Sequence, residues 1–305
     1  MNGFLNILKP PGMTSAAVVA VVRRLTGEKR VGHAGTLDPE AAGILPIMVG
    51  RAARLFDYLV DKQKTYVAEV AFGCATDTQD ATGTVIATGT DYPTLEQIRT
   101  AALQLTGDIL QRPSMYSAIK QNGTPLYVLA RQGKEAEVPE RQVHISSIEV
   151  HGLMPNHGAL ITVDCGKGTY IRSLCHDMGT LVGCPAHMRF LLRSRSGVFD
   201  LSTAMTLEEL TAYQQAGTLS EHLLPLDLPI QHLPAVQAPF WMEKQVRNGA
   251  ALLLGKLKDA EALQEGAPVR VYLRQQFWGI AAREGDALIW KALIPPDELQ
   301  GGQSS

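Results

Sequence analysis

Prolines at 225, 229, 234 and 239 constrain this chain more than any other feature. Each fixes φ and removes a backbone donor, so neither a helix nor an interior strand runs through the segment. The chain breaks there. At 305 residues it is long enough for a main unit and a smaller appendage, and we expect a boundary that leaves residues 1–232 on one side and 233–305 on the other. Beyond the break, Val269–Leu273, Phe277–Ala281 and Ala287–Leu293, with a turn at Arg283-Glu284-Gly285-Asp286, predict a small antiparallel β unit.

In the larger unit Phe4 to Leu8 reads as a strand ending at Lys9-Pro10-Pro11-Gly12, a rigid corner. Thr14 then caps a helix whose Val18, Val21, Val22 and Leu25 follow the helical period, with Gly27 as its stop. Gly43, Pro46 and Gly50 forbid a long helix over their segment, and a helix is expected from Ala52 to Val60. Thr65 to Phe72 alternates as a strand with Tyr66, Ala68, Val70 and Phe72 on one face. Thr94 and Gln97 form a capping-box signature for a helix reaching toward Gly107. Arg112 to Arg131 reads as a projecting finger ending in a short helix. Leu160 to Cys165 is a strand, Gly166-Lys167-Gly168 bends the chain, and a helix follows with Ile171, Leu174, Cys175, Met178, Leu181 and Val182 inward. Ala186 to Gly197 interleaves apolar and basic residues, which predicts an edge strand.

One turn stands out chemically. Val31 to Pro39 reads V-G-H-A-G-T-L-D-P, where glycines let the backbone approach a ligand and Pro39 pushes Asp38 toward an extended conformation. Leu37 and Pro39 leave Asp38 few local partners, which suits a nucleophilic carboxylate. An ordinary Asx-turn residue is the alternative that the turn alone leaves open. Tyr66, opening its strand, serves equally as a rim residue or as a ring that stacks on a base. Arg172 lies in a helix's first turn, against the dipole, and calls for an anion such as Asp38 or a phosphate. The acid-rich Thr76 to Gly83 loop fails as a calcium site, since its glycine is misplaced and the closing glutamate is missing. Its acids are better suited to anchoring arginines.

The net charge of -2 hides segregation. Residues 1–36 carry Lys9, Arg23, Arg24, Lys29 and Arg30 against Glu28, and residues 186–199 carry Arg189, Arg193 and Arg195 without an acid. Residues 201–232 carry Glu208, Glu209, Glu221 and Asp227 and no Lys or Arg. One basic face for phosphates and an acidic back fit these runs, as does a surface that is merely solvated. Cys74, Cys165, Cys175 and Cys184 form no C-x-x-C pair and are expected to be buried thiols, with no metal. No leader-like opening and no long apolar run is present, so a cytoplasmic protein with no membrane association is expected.

Taken in order, G-H-A-G-T-L-D-P, K-T-Y, D-T-Q-D, P-S-M-Y-S-A-I-K, G-T-Y-I-R and A-H-M-R-F-L-L-R resemble the TruB family of bacterial tRNA pseudouridine synthases, from Phe4 to about Gly197. Ser114 and Leu192 depart from the family's usual proline and arginine. The resemblance implies an α+β fold, with a mixed, mainly antiparallel sheet, flanking helices and a C-terminal PUA-like β domain that binds RNA. It implies isomerisation of uridine 55 in the tRNA T-loop to pseudouridine, without a cofactor. It makes Asp38 the nucleophile, Tyr66 the ring stacked on the flipped uracil, and Arg172 the partner that orients Asp38. Asp80, Tyr170 and Leu191 line the pocket, His33 fills the stack that the base leaves, and Lys9 supports the turn at the substrate site.

The tRNA T-stem-loop is then the partner of a monomer for which no protein partner is implied. Because the T-loop must be pried from the D-loop, the protein would also act as a tRNA folding aid. The alternatives are a noncatalytic RNA-binding module, which has no use for an apolar-flanked carboxylate, and a guide-RNA-dependent homologue, against which the lack of long basic tails argues.

Overall fold

The computed structural model describes residues 1–305 except 60–62, 118, 122, 133–137, 259, 261 and 297–305. Its main sheet runs, in spatial order, Gly3–Lys9, Ala42–Val49, Ala186–Ser196, Lys64–Phe72, Gly158–Cys165, Arg141–Met154 and Gly107–Gln111. Every neighbouring pair is antiparallel except Ala42–Val49 with Ala186–Ser196. The mixed, mainly antiparallel sheet with flanking helices agrees with the sequence.

The pleat divides the strands between two cores. Leu5, Ile7, Leu45, Ile47, Tyr66, Ala68 and Val70 face one way, where helices Ser15–Thr26, Leu95–Gln104, Ile171–Val182 and Leu207–Ala216 cover them. Phe4, Ile44 and Met48 face the other way, onto the 3-10 helix Gly50–Leu59. Helix ends follow the sequence. Thr14 accepts from the Ala17 amide at 3.0 Å, Gly27 closes the first helix in the left-handed region, and Thr94 and Gln97 complete their capping box.

Three local expectations change. The helix expected over 52–60 is a 3-10 helix with Leu55 and Leu59 buried, and Val60 lies outside the described residues. Leu181 is exposed, because the Ile171–Val182 helix turns that face away from the sheet. The Ala186–Ser196 strand is interior, not an edge, and its basic residues are paired or buried. Arg189 pairs with Glu69 at 2.6 Å, Arg195 with Asp164 at 3.1 Å, and Arg193 is buried. Lys9 is buried as well, so the exposed cations of these two runs reduce to Arg23, Arg24, Lys29 and Arg30, beside the partly exposed, paired Arg189 and Arg195. Cys165, Cys175 and Cys184 are buried, while Cys74 is half-buried against His187, whose Nδ1 lies 3.0 Å from the Cys74 carbonyl oxygen.

The second sheet runs Ala235–Ala238, Pro268–Leu273, Gln276–Glu284, Ala287–Leu293 and Leu252–Leu253. The proline segment leading to it is packed down. Phe4 and Leu224 exchange backbone hydrogen bonds at 3.0 and 2.8 Å, Tyr272 donates to Asp227 at 2.6 Å, and Arg270 Nε donates to the Leu233 carbonyl at 3.0 Å. One apolar cluster joins Phe4, Ile44, Leu55 and Phe199 of the first unit to Ile280, Ala292 and Ile294 of the second. A chain ended at His232 strips cover from that cluster, and each fully buried isoleucine is worth about 1.5–3 kcal/mol. It is therefore expected to unfold at a clearly lower denaturant concentration than the full chain. An unchanged midpoint would contradict a shared core.

On the Ile171–Val182 helix, burial lifts the Asp177 carboxyl from 3.8 to about 6. Between these values the unfolded chain holds fewer protons than the folded one, so this group's contribution is complete below about pH 4 and falls until about pH 6. Because the carboxyl keeps partial access to water, the loss at pH 7 is on the order of 1 kcal/mol. Asp177→Asn should raise the thermal midpoint by about 2–4 °C at pH 7. At pH 4 it should leave the midpoint unchanged, and an equal gain at both pH values would refute the assignment.

Candidate active site

The turn after strand Val31–His33 is braced on both sides of Asp38. Ser15 Oγ accepts from the Leu37 amide and donates to the Leu37 carbonyl, each at 3.0 Å. Lys9 spends its three donors on carbonyls, reaching Pro10 and Pro39 at 2.8 Å and Met13 at 2.6 Å. Fully buried, Lys9 braces the turn from beneath and presents no surface to solvent. Burial lowers its pKa to about 8, against the attraction of Glu40 and Asp38. The Gly12 amide also donates to the Pro39 carbonyl at 2.9 Å. Asp38 itself stays open, with its side chain 41% exposed.

Arg172 enters from the first turn of the Ile171–Val182 helix, its side chain only 8% exposed. Its Nε lies 3.0 Å from Asp38 Oδ2 and its Nη1 3.5 Å from Asp80 Oδ2. The remaining donors reach the Thr78 carbonyl at 3.3 Å and the Tyr116 carbonyl at 3.2 Å. The anion expected for this arginine is thus a pair of carboxylates, and a buried guanidinium held this way is compensated. Asp80 is fixed in turn, its Oδ1 accepting from the Thr78 and Thr82 hydroxyls at 2.7 and 2.6 Å. An acid of the 76–83 loop anchors an arginine, as the sequence suggested.

Aromatic and apolar walls complete the site. Tyr66 is buried, and burial raises its hydroxyl pKa while Arg193 opposes the rise. Tyr170 caps the helix that carries Arg172, and its backbone is clamped by Gln111, which accepts from the Tyr170 amide at 3.0 Å and donates to its carbonyl at 3.3 Å. The Asp38 charge acts on the hydroxyls of both Tyr66 and Tyr170. Leu191 is buried and pairs across the sheet with Ala68, two residues from Tyr66. His33 sits half-buried at the mouth of the turn, and burial, then the charge of Arg193, hold its ring toward the neutral form. Arg172 is therefore in direct contact with Asp38 and Asp80, the Asp38 charge reaches Tyr66 and Tyr170, and His33, Leu191 and Lys9 surround the turn or the ring.

Sequence reasoning missed Ser15, Gln111 and the inward role of Arg193. A second hydroxyl immediately after the Thr14 cap was a signal for Ser15, since one hydroxyl satisfies that helix end. Tyr116 reaches the site through its carbonyl and donates its hydroxyl to Asp77 at 3.3 Å, so the base of the expected finger docks on the pocket. Ala118 and Asn122 of that finger lie outside the described residues.

A family model described as the TruB family pseudouridylate synthase N-terminal domain matches residues 23–171. One described as the tRNA pseudouridylate synthase B C-terminal domain matches residues 172–231. The tRNA pseudouridine synthase B of Alkaliphilus oremlandii is 45% identical over 279 residues, 92% of each chain. That of Bacillus subtilis is 42% identical over 261 residues, 83% of this chain and 84% of that one. Among solved structures, one of a Cbf5-Nop10-Gar1 complex superposes with a TM-score of 0.74 at 26% identity, covering 97% of this chain and 86% of that chain. With this likeness along nearly the whole length, and the turn and arginine placed as described, the chain belongs to the TruB family of pseudouridylate synthases.

Proposed function

We propose that this protein isomerises uridine 55 in the T-loop of tRNA to pseudouridine, with Asp38 as nucleophile. The observation that carries the reading is the half-exposed Asp38 carboxylate gripped at 3.0 Å by a buried arginine. The reaction breaks N1–C1′ and forms C5–C1′, while C5 loses a proton and N1 gains one. Nothing is oxidised and no external group is added, so the protein's own residues suffice. The target base is unstacked and swung into the pocket at a cost of roughly a few kcal/mol. Tyr66 stacks on it, Tyr170 and Leu191 bound it, and Asp80 keeps Arg172 directed at Asp38. His33 occupies the vacated stack. The walls formed by Tyr66, Tyr170 and Leu191 hold the freed uracil while it turns.

Residues 1–232 carry the chemistry, and residues 233–305 add RNA contacts to a monomeric, cytoplasmic protein. Among the described residues no helix is long and apolar enough to cross a membrane. The similarity to a tRNA pseudouridine synthase B over 92% of the chain, at 45% identity against 26% for the structure of a Cbf5-Nop10-Gar1 complex, favours an enzyme that acts on tRNA. The test is to incubate the purified chain with an unmodified tRNA transcript and map carbodiimide adducts, which mark pseudouridine. One new stop at the T-loop uridine is expected. No stop, or one elsewhere, would reject the assignment.

A further inference from the structure

Arg193 is 1% exposed, a charged side chain taken almost wholly out of water. Its guanidinium donates to the Ile44 carbonyl at 2.7 Å, the Thr36 carbonyl at 3.1 Å and the Gly35 carbonyl at 3.2 Å, and its charge acts on the Tyr66 hydroxyl. Among the described residues it is in no ion pair, unlike Arg172, Arg189 and Arg195. Carbonyls only offset the desolvation of such a cation, which makes Arg193 a poor stability device. Its placement is specific. Across the sheet it is the direct partner of Tyr66 on one side and of Gly43 on the other. Gly43 has φ +118, and a Cβ there would stand 2.2 Å from the Arg193 carbonyl oxygen, so the backbones are in their closest possible approach.

Three side chains brace the turn: Ser15 at Leu37, Lys9 at Pro39, and Arg193 at Gly35 and Thr36. Of these three, only Arg193 is also the direct cross-strand partner of Tyr66. We propose that Arg193 is a positioning residue for the isomerisation, its guanidinium tying the turn that carries Asp38 to the Tyr66 hydroxyl so that carboxylate and ring keep a fixed separation. The need for this follows from the reaction, which rests on the function proposed above: a base that detaches and rotates must find the nucleophile and the stacking ring in unchanged places. One forked cation meets that need where Lys cannot, since an ammonium has no planar array to span three carbonyls.

The test uses the full chain and unmodified tRNA, with wild-type turnover established first. If the wild type fails to isomerise, the function is wrong; the following outcomes concern Arg193 alone. Arg193→Lys should lower kcat by about 100-fold, the cost of a small misplacement of reacting groups, while KM for tRNA stays within about threefold. In a Tyr66→Phe background the same change should cost at least about fivefold less, because the tie is already cut. A rise confined to KM, additive losses, or full activity would each overturn the proposal. If Arg193→Lys does not fold, arginine 15N spectra of the wild type and Tyr66→Phe decide the matter. The Arg193 Nη signals should move between the two, and unmoved signals would overturn it.

Discussion

Asp38→Asn is expected to reduce isomerisation by on the order of 10^4-fold or more, the scale seen when a nucleophile is removed from an intact site. The expectation follows from what the substitution leaves alone. An Asn carbonyl oxygen can still accept from Arg172 Nε, and the turn keeps its bonds to Ser15 and Lys9, which involve only the backbone of Leu37 and Pro39. Asp80 remains to compensate the Arg172 guanidinium, so no buried charge is stranded. Shape persists and only the anion disappears. Binding of tRNA should therefore stay within about tenfold of wild type, because phosphate contacts supply most of it. Turnover above a few per cent of wild type by this variant would refute the role given to Asp38. If the protein also acts as a tRNA folding aid, the inactive variant should retain that activity.

Arg172→Met should be the other severe substitution, and it should fail in two measurements. Losing one partner of a buried pair typically costs about 3–5 kcal/mol, and here the guanidinium serves Asp38, Asp80 and the carbonyls of Thr78 and Tyr116 together. The thermal midpoint should drop by several degrees and turnover by about 10^3-fold, since an undirected carboxylate loses both orientation and electrostatic support. Arg172→Lys should restore much of the stability and little of the rate. A point charge can sit between two carboxylates, but it cannot hold one of them at a set angle while bonding two carbonyls. Full activity in Arg172→Lys would mean that charge alone is needed, and full activity in Arg172→Met that the arginine has no part in the chemistry.

Residues whose signals are local stood out in the sequence. Asp38 announces itself by its glycines and following proline, Tyr66 by its place at the head of an alternating strand, and Arg172 by its unfavourable place near a helix N-terminus. The strands from Phe4, Thr65, Leu160 and beyond Val269, and the caps at Thr14 and Thr94, are equally local and occur where expected. What escaped depends on partners distant in the chain. Lys9 and Arg193 look like surface cations because their compensation comes from backbone carbonyls, which every residue has and no side-chain pattern reveals. The interior place of Ala186–Ser196 depends on pairing with Ala42–Val49 and Lys64–Phe72, more than a hundred residues earlier. Its interleaving of apolar and basic residues marks a strand and says nothing about who lies beside it. The proline segment shows the same limit. Prolines end helices and strands, yet Leu224, Ile230 and Leu233 around them still pack into the cluster shared by the two sheets.

The central claim is that Asp38, held by Arg172, moves the glycosidic bond from N1 to C5 of a uracil. The C5 hydrogen is necessarily lost in that exchange, so a T-stem-loop bearing tritium at C5 of its target uridine reports the event directly. With wild-type protein and no added metal or cofactor, tritium should enter water in a 1:1 ratio with pseudouridine formed. With Asp38→Asn at concentrations that saturate the same stem-loop, no tritium should be released. Release by the variant at a rate near wild type would contradict the account.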